Sequence, residues 1–305
     1  MMKDEYVNMS LKDLELKYTS LSDENLDTKE EILRTWCKKL YADGKKDEAL
    51  AKTKEYIYLM LKQRFVYDEA REFFAFKPIS EYLLDELSTS KVSLSPADRF
   101  NDPIDPIINI WIKNKIEKCD NNNDTAFACL LQKAVELFRI KCFVRTSPLL
   151  ENNNLRENDT QNIDDISPLM WAHYADGHHG VCLKYEIPPK VLIDNGKSSF
   201  LSLFPIRYEN NIKLADDLGI DIAISAKSSD WKYENEVRLV LFNPDMKDEF
   251  PTIEGLKLKA VYLGVNCLDS DERKIKLALM NKPVEIYRMQ IQPDNLNRFK
   301  AKRIG

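Results

Sequence analysis

Two carboxylates and a guanidinium occupy every second position of the stretch WKYENEVRLV; they belong to Glu234, Glu236 and Arg238. On a β-strand this spacing places all three side chains on one face, because successive side chains point to opposite sides. In a cleft, one carboxylate of such a stripe can stabilise a developing cation, while the neighbouring carboxylate shifts the pKa of the first. On a solvated strand face, Arg238 simply balances the two acids. The spacing alone leaves both interpretations open.

A second polar cluster lies in the stretch RFNDPID, which contains Asn101, Asp102 and Asp105. Two prolines stiffen this loop, so it can present an amide and two carboxylates to a ligand. A helix cap formed by Asn101 or Asp102 is the alternative, since both residue types are preferred at that position.

The stretch MWAHYADGHHGVC holds the three histidines of the chain, His173, His178 and His179. A metal site on one helix needs histidines on one face, as in HxxxH. His173 and His178 are five positions apart across a predicted helix end, and no paired thiols complete a ligand set. We therefore predict no metal ion here. Trp171 and Tyr174 lie three apart on one helical face, which favours a packed aromatic corner that walls or braces a site.

These motifs follow one another as FNDPID, LMWAHYADGHHGVCLKYE and AKSSDWKYENEVRLV. Over roughly residues 71 to 265 the chain resembles the bacterial family catalogued as domain of unknown function 2971. Two positions depart from the pattern of that family. Lys77 in FFAFKPI stands where the family has an arginine, and His179 stands where it often has a lysine. The family name implies no activity.

The order of the motifs also resembles that of ADP-ribosyltransferases, which have an early strand with Arg or His, a strand with a small hydroxyl residue and a late ExE strand. Lys77, then Ser93 or Ser95, then Glu234 and Glu236 correspond to these positions. The resemblance implies NAD as a substrate and no tightly bound cofactor. It also implies that Glu236 bonds the nicotinamide ribose and stabilises the oxocarbenium-like state, while Glu234 positions the acceptor.

The same resemblance implies an aromatic residue that stacks on the substrate. Trp171 or Trp231 would stack on a ring of the substrate. The other candidate binding residues, besides Lys77 and Ser95, are Asn101, Asp102, Asp105, His173, Tyr174, Lys227 and Arg238.

Two other functions compete with an NAD-dependent ADP-ribosyltransferase or NAD glycohydrolase. In the first, the chain is a non-catalytic binding or effector module, for example in bacterial defence or stress response, and its motifs brace one another as a polar network. In the second, Asp102, Asp105 and His173 hold a divalent metal in a hydrolase or nuclease. The sequence does not decide whether the protein is an enzyme.

Composition limits the possible partners. The chain has 305 residues, a formal net charge of −5 and 44% hydrophobic residues, which is typical of a globular protein and does not indicate nucleic-acid binding. No apolar run approaches the ~18 residues of a membrane span, and the N-terminus lacks a secretory signal pattern. The six cysteines form no CxxC pair, which favours buried reduced thiols and a cytoplasmic location. No GxGxxG or GxxxxGKS/T loop occurs.

Hydrophobic spacing divides the chain into residues 1–70 and residues 71–305. The first part is predicted to be a helical hairpin, because LYADGKKDEALAKTKEYI resembles one tetratricopeptide unit with Gly44 at its turn. One such unit cannot bury its own apolar face, so it would pack on the main domain or recruit a protein partner. The second part shows about eight short strands without regular βαβ alternation, which predicts an α+β fold with mixed, mainly antiparallel sheets and surrounding helices.

Overall fold

The computed structural model describes residues 6–22, 25–62, 71–100, 102, 105–106, 110, 112–114, 117, 122–146, 162–191, 199–210, 220–293 and 298–305. Within them, α-helices surround a mixed, mainly antiparallel sheet, which confirms the predicted α+β class. The α-helices are α1 (Leu11–Ser20), α2 (Leu26–Ala42), α3 (Lys46–Lys62), α4 (Glu81–Thr89), α5 (Asn122–Val135), α6 (Pro168–Tyr174), α7 (Ile220–Ser225) and α8 (Asp269–Ala278). Short 3₁₀ helices span Ala97–Arg99, Ile163–Asp165, Pro189–Val191 and Ser229–Glu234.

The strands form one large sheet and two small ones within the described residues. They are β1 (Arg71–Lys77), β2 (Val92–Ser93), β3 (Ser95–Pro96), β4 (Phe138–Val144), β5 (Val181–Ile187), β6 (Phe200–Pro205), β7 (Arg207–Tyr208), β8 (Ala226–Lys227), β9 (Glu236–Phe242), β10 (Thr252–Ile253), β11 (Lys257–Leu263), β12 (Glu285–Ile291) and β13 (Phe299–Arg303). The large sheet has the order β13-β12-β11-β5-β1-β4-β9-β6, with β3 beside β4. Its neighbours are antiparallel except for β11 and β12, which are parallel. The small sheets pair β2 with β10 and β7 with β8.

Alternating side chains give the large sheet two distinct faces. Phe73, Phe143 and Leu239 pack with buried residues of α4 and α8, and we call this side the α4 face. Phe74 and Val144, each next to one of these residues, point the other way and pack with α6. We call this second side the α6 face. Neighbours along one strand therefore belong to different cores.

The N-terminal helices share a core with the sheet. Gly44 turns the chain between α2 and α3 with a φ of +76°, a conformation that glycine adopts without strain. Leu33 of α2 and Ile57 of α3 belong to one buried cluster with Phe138 and Phe242 of the sheet. The sheet thus covers the apolar side that a single helical pair could not bury alone. The division at residue 70 and the likeness to a tetratricopeptide unit stay predictions.

The stretches KVSLSP, VEIYRMQI and WKYENEVRLV each predict one strand, and the structure differs from that prediction in detail. The stretch KVSLSP forms two separate strands, because β2 pairs with β10 whereas β3 pairs with β4. The stretch VEIYRMQI is followed by a further strand, β13, which pairs along β12. The strand predicted for WKYENEVRLV begins only at Glu236, because the residues before it form a 3₁₀ helix. Among the helices in the described ranges, none is both long and apolar enough to cross a membrane.

Candidate active site

The two acids of the ExE motif come together through a turn of the backbone. Glu234 ends the 3₁₀ helix Ser229–Glu234, and Glu236 begins β9. Between them Asn235 adopts a left-handed conformation with a φ of +44°, and the N–H of Glu236 donates to Tyr208 Oη at 2.7 Å. The prediction that both acids share the face of one strand was wrong for Glu234. The turn nevertheless brings both carboxylates to the same lysine.

Lys227, at the end of β8, lies among three carboxylates. Its Nζ is 2.7 Å from Glu234 Oε2 and 3.0 Å from Glu236 Oε2. The same nitrogen is 3.4 Å from Asp105 Oδ2 and lies 5.1 Å from the ring centre of Trp231. Its positive charge offsets the repulsion among the three carboxylates and is attracted to the electron-rich face of the Trp231 indole ring.

Arg238 forms hydrogen bonds with two of these acids. Its Nε donates to Glu236 Oε1 at 2.8 Å, and its Nη2 donates to both oxygens of Asp105 at 2.5 Å. Its Nη1 donates to the carbonyl oxygen of Ile224 at 2.7 Å. The side chain is fully buried, so these bonds replace the water that the guanidinium loses.

Tyr174 brings the aromatic motif into the same cluster. Its hydroxyl donates to Glu234 Oε1 at 2.6 Å. The residue ends α6. The order Ser167–Pro168 predicts the start of this helix, and the structure confirms Ser167 as its cap and Pro168 at its first position. Glycine often follows the last turn of a helix, which predicts an end at Gly177, but the helix already ends at Tyr174. All three sequence motifs thus meet through hydrogen bonds and ion pairs.

The cluster lines a pocket of about 310 Å³ on the α6 face. This volume lies at the lower end of the range of about 300–1,000 Å³ for small-molecule sites. The side chains of Glu234 and Glu236 are each 4% exposed, so a ligand has to enter the pocket to reach them. The described lining residues are Phe76, Arg99, Phe100, Asp105, Cys142, Phe143, Val144, Met170, Tyr174, Lys227, Glu234 and Glu236.

A larger hollow of about 580 Å³ lies elsewhere, between Phe138 and Glu249. Its buried cation, Arg139, donates to the carbonyl oxygens of Glu136, Phe138, Asp248 and Glu249. The guanidinium is therefore engaged in holding backbone together. We take the smaller pocket as the candidate functional site, because buried acids and bases converge there.

The two acids of the ExE motif have opposite pKa shifts. Burial raises the pKa of Glu236, but the charges of Arg238 and Lys227 outweigh it and lower that pKa to about 2. Burial raises the pKa of Glu234 above its usual value, against the effect of Lys227. Burial likewise raises the pKa of Asp105, against Arg238. Burial lowers the pKa of Lys227, but the three carboxylates outweigh it and raise that pKa. Glu236 is therefore held ionised, whereas Glu234 accepts a proton more readily, a division typical of acid–base sites.

Aromatic rings stand beside the pocket. The ring of His173 lies 6.3 Å from that of Tyr174, which lines the pocket, and 6.4 Å from those of Trp231 and Tyr233. His173 is exposed, while Trp231 and Tyr233 are half-buried. These rings offer faces on which a flat ligand ring can stack.

Most, though not all, of the predicted site residues converge. Asp105, Tyr174, Lys227, Glu234 and Glu236 line the pocket. Arg238, His173 and Trp231 contact that group directly. Trp171 is buried against Phe76, with ring centres 5.0 Å apart, and braces the wall without lining the pocket.

Lys77 and Ser95 are not part of this group. Lys77 follows Phe76 on β1 and forms an ion pair with Glu86 of α4, so its side chain lies on the α4 face. Ser95 is half-buried on β3 opposite Ile140 and is not among the lining residues. Ser93 lies on β2 opposite Thr252 and is not among the lining residues either. None of the early ADP-ribosyltransferase counterparts therefore lines the pocket with Glu236.

The loop motif contributes through its second acid. Asp105 enters the cluster, whereas Asp102 is half-buried and its carbonyl oxygen accepts a hydrogen bond from the Asp105 N–H at 3.1 Å. Asn101 lies outside the described residues.

Sequence reasoning missed several lining residues, including Cys142. Cys37, Cys182 and Cys267 are buried as predicted, but Cys142 is exposed and lines the pocket. Cys142 lies two residues before Val144 on β4, so both side chains are on the α6 face. The alternation of side chains along the strand could have predicted this. Arg99, which directly precedes the FNDPID loop, and Phe100, the first residue of that loop, were also overlooked.

The three histidines have separate surroundings. His178 packs edge-on against Phe299, with ring centres 5.4 Å apart, and His179 is exposed. Only His173 belongs to the aromatic group beside the pocket. Across the ranges that the structure describes, no three His, Cys, Asp or Glu side chains are arranged to hold a metal ion.

Comparisons with known proteins bear on the family alone. The model of a family described as "Protein of unknown function (DUF2971)" matches residues 170–239. This match confirms the predicted resemblance over the aromatic and ExExR motifs. No curated protein and no solved structure gives a significant match.

Proposed function

Because residues 170–239 match a family whose description assigns no activity, we propose the function from the pocket. The protein is an NAD-using enzyme, an ADP-ribosyltransferase or NAD glycohydrolase, that breaks the bond between nicotinamide and ribose. One observation carries this proposal: Glu234 and Glu236 share Lys227 at a pocket with an aromatic edge. Since both bind one nitrogen, their oxygens are less than about 6 Å apart, close enough to act on one ribose.

The charge of the pocket supports a cationic substrate ring. The buried acids Asp105, Glu234 and Glu236 carry one more charge than Lys227 and Arg238 can neutralise, and the remaining lining cation, Arg99, is already paired with Glu249. NAD brings a positively charged pyridinium ring, which this surplus favours. Trp231 offers the ring a face on which to stack.

The two acids have different roles in the proposed step. The carbon–nitrogen bond breaks, and nicotinamide leaves as a neutral molecule with the bonding electrons. Glu236, which stays ionised, stabilises the cation that forms on the ribose. A hydroxyl oxygen of water or of an acceptor then bonds to that carbon. Glu234 takes the proton of this hydroxyl, and its raised pKa makes it a better base for this task.

The test is nicotinamide release from NAD by the purified full-length protein. We expect release by the wild type, loss of at least about a hundredfold in Glu236→Gln, and a smaller loss in Glu234→Gln. Glu186→Gln is the matched control, because Glu186 lies on a strand and pairs with Lys257 outside the pocket. Circular dichroism verifies that each variant folds. No release by the wild type, or undiminished release by both pocket variants, would refute the proposal.

A non-catalytic binding or effector module is the second candidate. It is favoured by the hydrogen bonds that the buried charges form with one another, since such a network also stabilises a fold. In that case no nucleotide is turned over, and Glu236→Gln lowers the free energy of unfolding. A protein partner would then bind at the N-terminal helices. For both candidates we keep the cytoplasm as the predicted location.

A further inference from the structure

A second polar cluster lies on the α4 face, opposite the pocket. It consists of Lys77, Glu86, Lys141 and Tyr185, and we call it the lysine cluster. Lys77 Nζ donates to Glu86 Oε2, and the Tyr185 hydroxyl donates to Glu86 Oε1 at 2.7 Å. Both oxygens of this buried carboxylate are therefore engaged.

Sheet geometry brings Lys141 to the same place. Phe74 of β1 is opposite Val144 of β4 in an antiparallel pair. Moving three residues from that pair in the same direction reaches Lys77 on one strand and Lys141 on the other. Extending this register puts the two lysines at one level of the sheet, and the charges of both act on Glu86. Like charges at this position oppose each other.

Lys77 bonds the acid directly, whereas Lys141 acts on it only through its charge. Among the described residues Lys141 forms no ion pair within 4 Å of a carboxylate, while Lys77 pairs with Glu86. Lys141 is half-buried, so part of the residue is in contact with solvent. A lysine that is short of water and beside another cation, and whose neighbouring carboxylate is already bonded by two other groups, is in surroundings that favour a neutral amine.

We propose that Lys141 is a nucleophilic amine site that takes up small aldehydes or ketones as an imine. The nitrogen lone pair bonds to the carbonyl carbon, and the carbonyl π electrons move to its oxygen. The two protons of the neutral amine then leave with that oxygen as water, and the carbon–nitrogen double bond forms. This site is separate from the pocket and does not depend on its function.

The electrostatics agree with this assignment. Burial and the charge of Lys77 lower the pKa of Lys141 to about 7, against the opposing effect of Glu86. About half of the molecules then carry the free amine at pH 7, whereas an ordinary lysine, with a pKa near 10.4, is almost fully protonated.

Reductive labelling tests the proposal. The full-length protein is treated at pH 7 with a small amount of acetaldehyde and sodium cyanoborohydride, and mass spectrometry of peptides gives the ethylated fraction of each lysine. We expect Lys141 to be labelled at least about tenfold more than the exposed Lys232 and Lys302, and this lead to shrink at pH 10. Equal or lower labelling of Lys141 at pH 7 would overturn the proposal.

A variant isolates the effect of the neighbouring lysine. Lys77→Met removes the like charge and leaves Glu86 free to pair with Lys141, so labelling of Lys141 at pH 7 should fall about tenfold or more. The matched control is Lys184→Met, on the adjacent strand β5, where Lys184 pairs with Glu72. The control should leave the labelling of Lys141 unchanged. An equal effect of both variants would contradict the proposal, and the wild-type pH comparison decides it if Lys77→Met does not fold.

Discussion

Arg238 donates to both carboxylate oxygens of Asp105 at 2.5 Å, although 133 residues separate the two in the chain. This ion pair links the FNDPID loop to β9, the strand that carries Glu236 and Arg238 of the ExExR motif. The guanidinium is fully buried and the carboxylate is 7% exposed. The pair is therefore a point at which a single substitution affects both the fold and the pocket.

Arg238→Met should lower the free energy of unfolding by about 3 kcal/mol. Without the guanidinium, three buried carboxylates share the single charge of Lys227, and unpaired charge is costly in a buried site. Urea denaturation monitored by circular dichroism measures the change. Glu249→Gln is the control, because Glu249 pairs with Arg99 at 2.7 Å but both side chains are more than half exposed. That exposed pair should contribute less than about 1 kcal/mol. Equal changes in the two variants would mean that burial does not set the strength of the Asp105 pair.

Tyr174→Phe should shift the acidic limb of the pH–rate profile upward. The Tyr174 hydroxyl bonds the carboxylate of Glu234 at 2.6 Å and favours its ionised form. Without that bond the pKa of Glu234, already raised by burial, rises further. The base then becomes protonated at higher pH, so the limb should move up by about 0.5–1 pH unit. Nicotinamide release measured across pH gives the shift. Tyr233→Phe is the control and should leave the acidic limb of the pH–rate profile at its wild-type pH. If Tyr174→Phe also leaves the limb at that pH, Glu234 is not the base.

Glu236 should make the fold sensitive to strong acid. Its pKa is lowered from 4.5 to about 2 by Arg238 and Lys227, so its ionised form stabilises the folded state above pH 4.5. That contribution is lost as the pH falls from 4.5 towards 2, because protonation breaks both ion pairs. Asp105 and Glu234 act in the opposite sense, since their raised pKa values favour protonation in the folded state.

Glu236→Gln removes the acid-sensitive group and tests this sign. Between pH 4.5 and 2, the free energy of unfolding should fall more steeply in the wild type than in the variant, as urea titrations at several pH values can show. Repeating them in 1 M salt separates buried from exposed pairs, because salt screens the exposed ones more strongly. Parallel slopes in wild type and variant would show that Glu236 is not held ionised by its partners.

Gly264→Ala should destabilise the fold by about 2–3 kcal/mol through crowding. A Cβ at this position would lie 2.0 Å from the carbonyl oxygen of His178 and 3.1 Å from that of Gly180. Gly177→Ala is the matched control, since nothing lies within 4 Å of its Cβ position and its φ is +56°. We expect a cost of about 1–2 kcal/mol there, from the left-handed conformation alone. Thermal and urea unfolding compare the two, and a smaller cost for Gly264→Ala would contradict the close packing of this loop.

The sequence by itself determined which residues are chemically notable and what fold class they belong to. The spacing of Glu236 and Arg238 places both on one face of β9, and the Ser167–Pro168 signal places the start of α6. These conclusions depend on neighbours within a few positions, which local backbone geometry controls. Alternation along β1 could also have predicted that Lys77 and Phe76 lie on opposite faces of the sheet. It could not have predicted that Lys77 pairs with Glu86 of α4.

The tertiary structure alone decided that the ExExR acids are buried and that Asp105, Tyr174 and Lys227 surround them. Local spacing had also left open that Glu236 lies on a solvated strand face. Burial depends on which elements pack on that face, and those elements are more than a hundred residues away for Asp105 and 60 for Tyr174. The free energy of a buried charge depends on partners brought together by the packing of whole elements, and spacing within one strand carries no record of that packing.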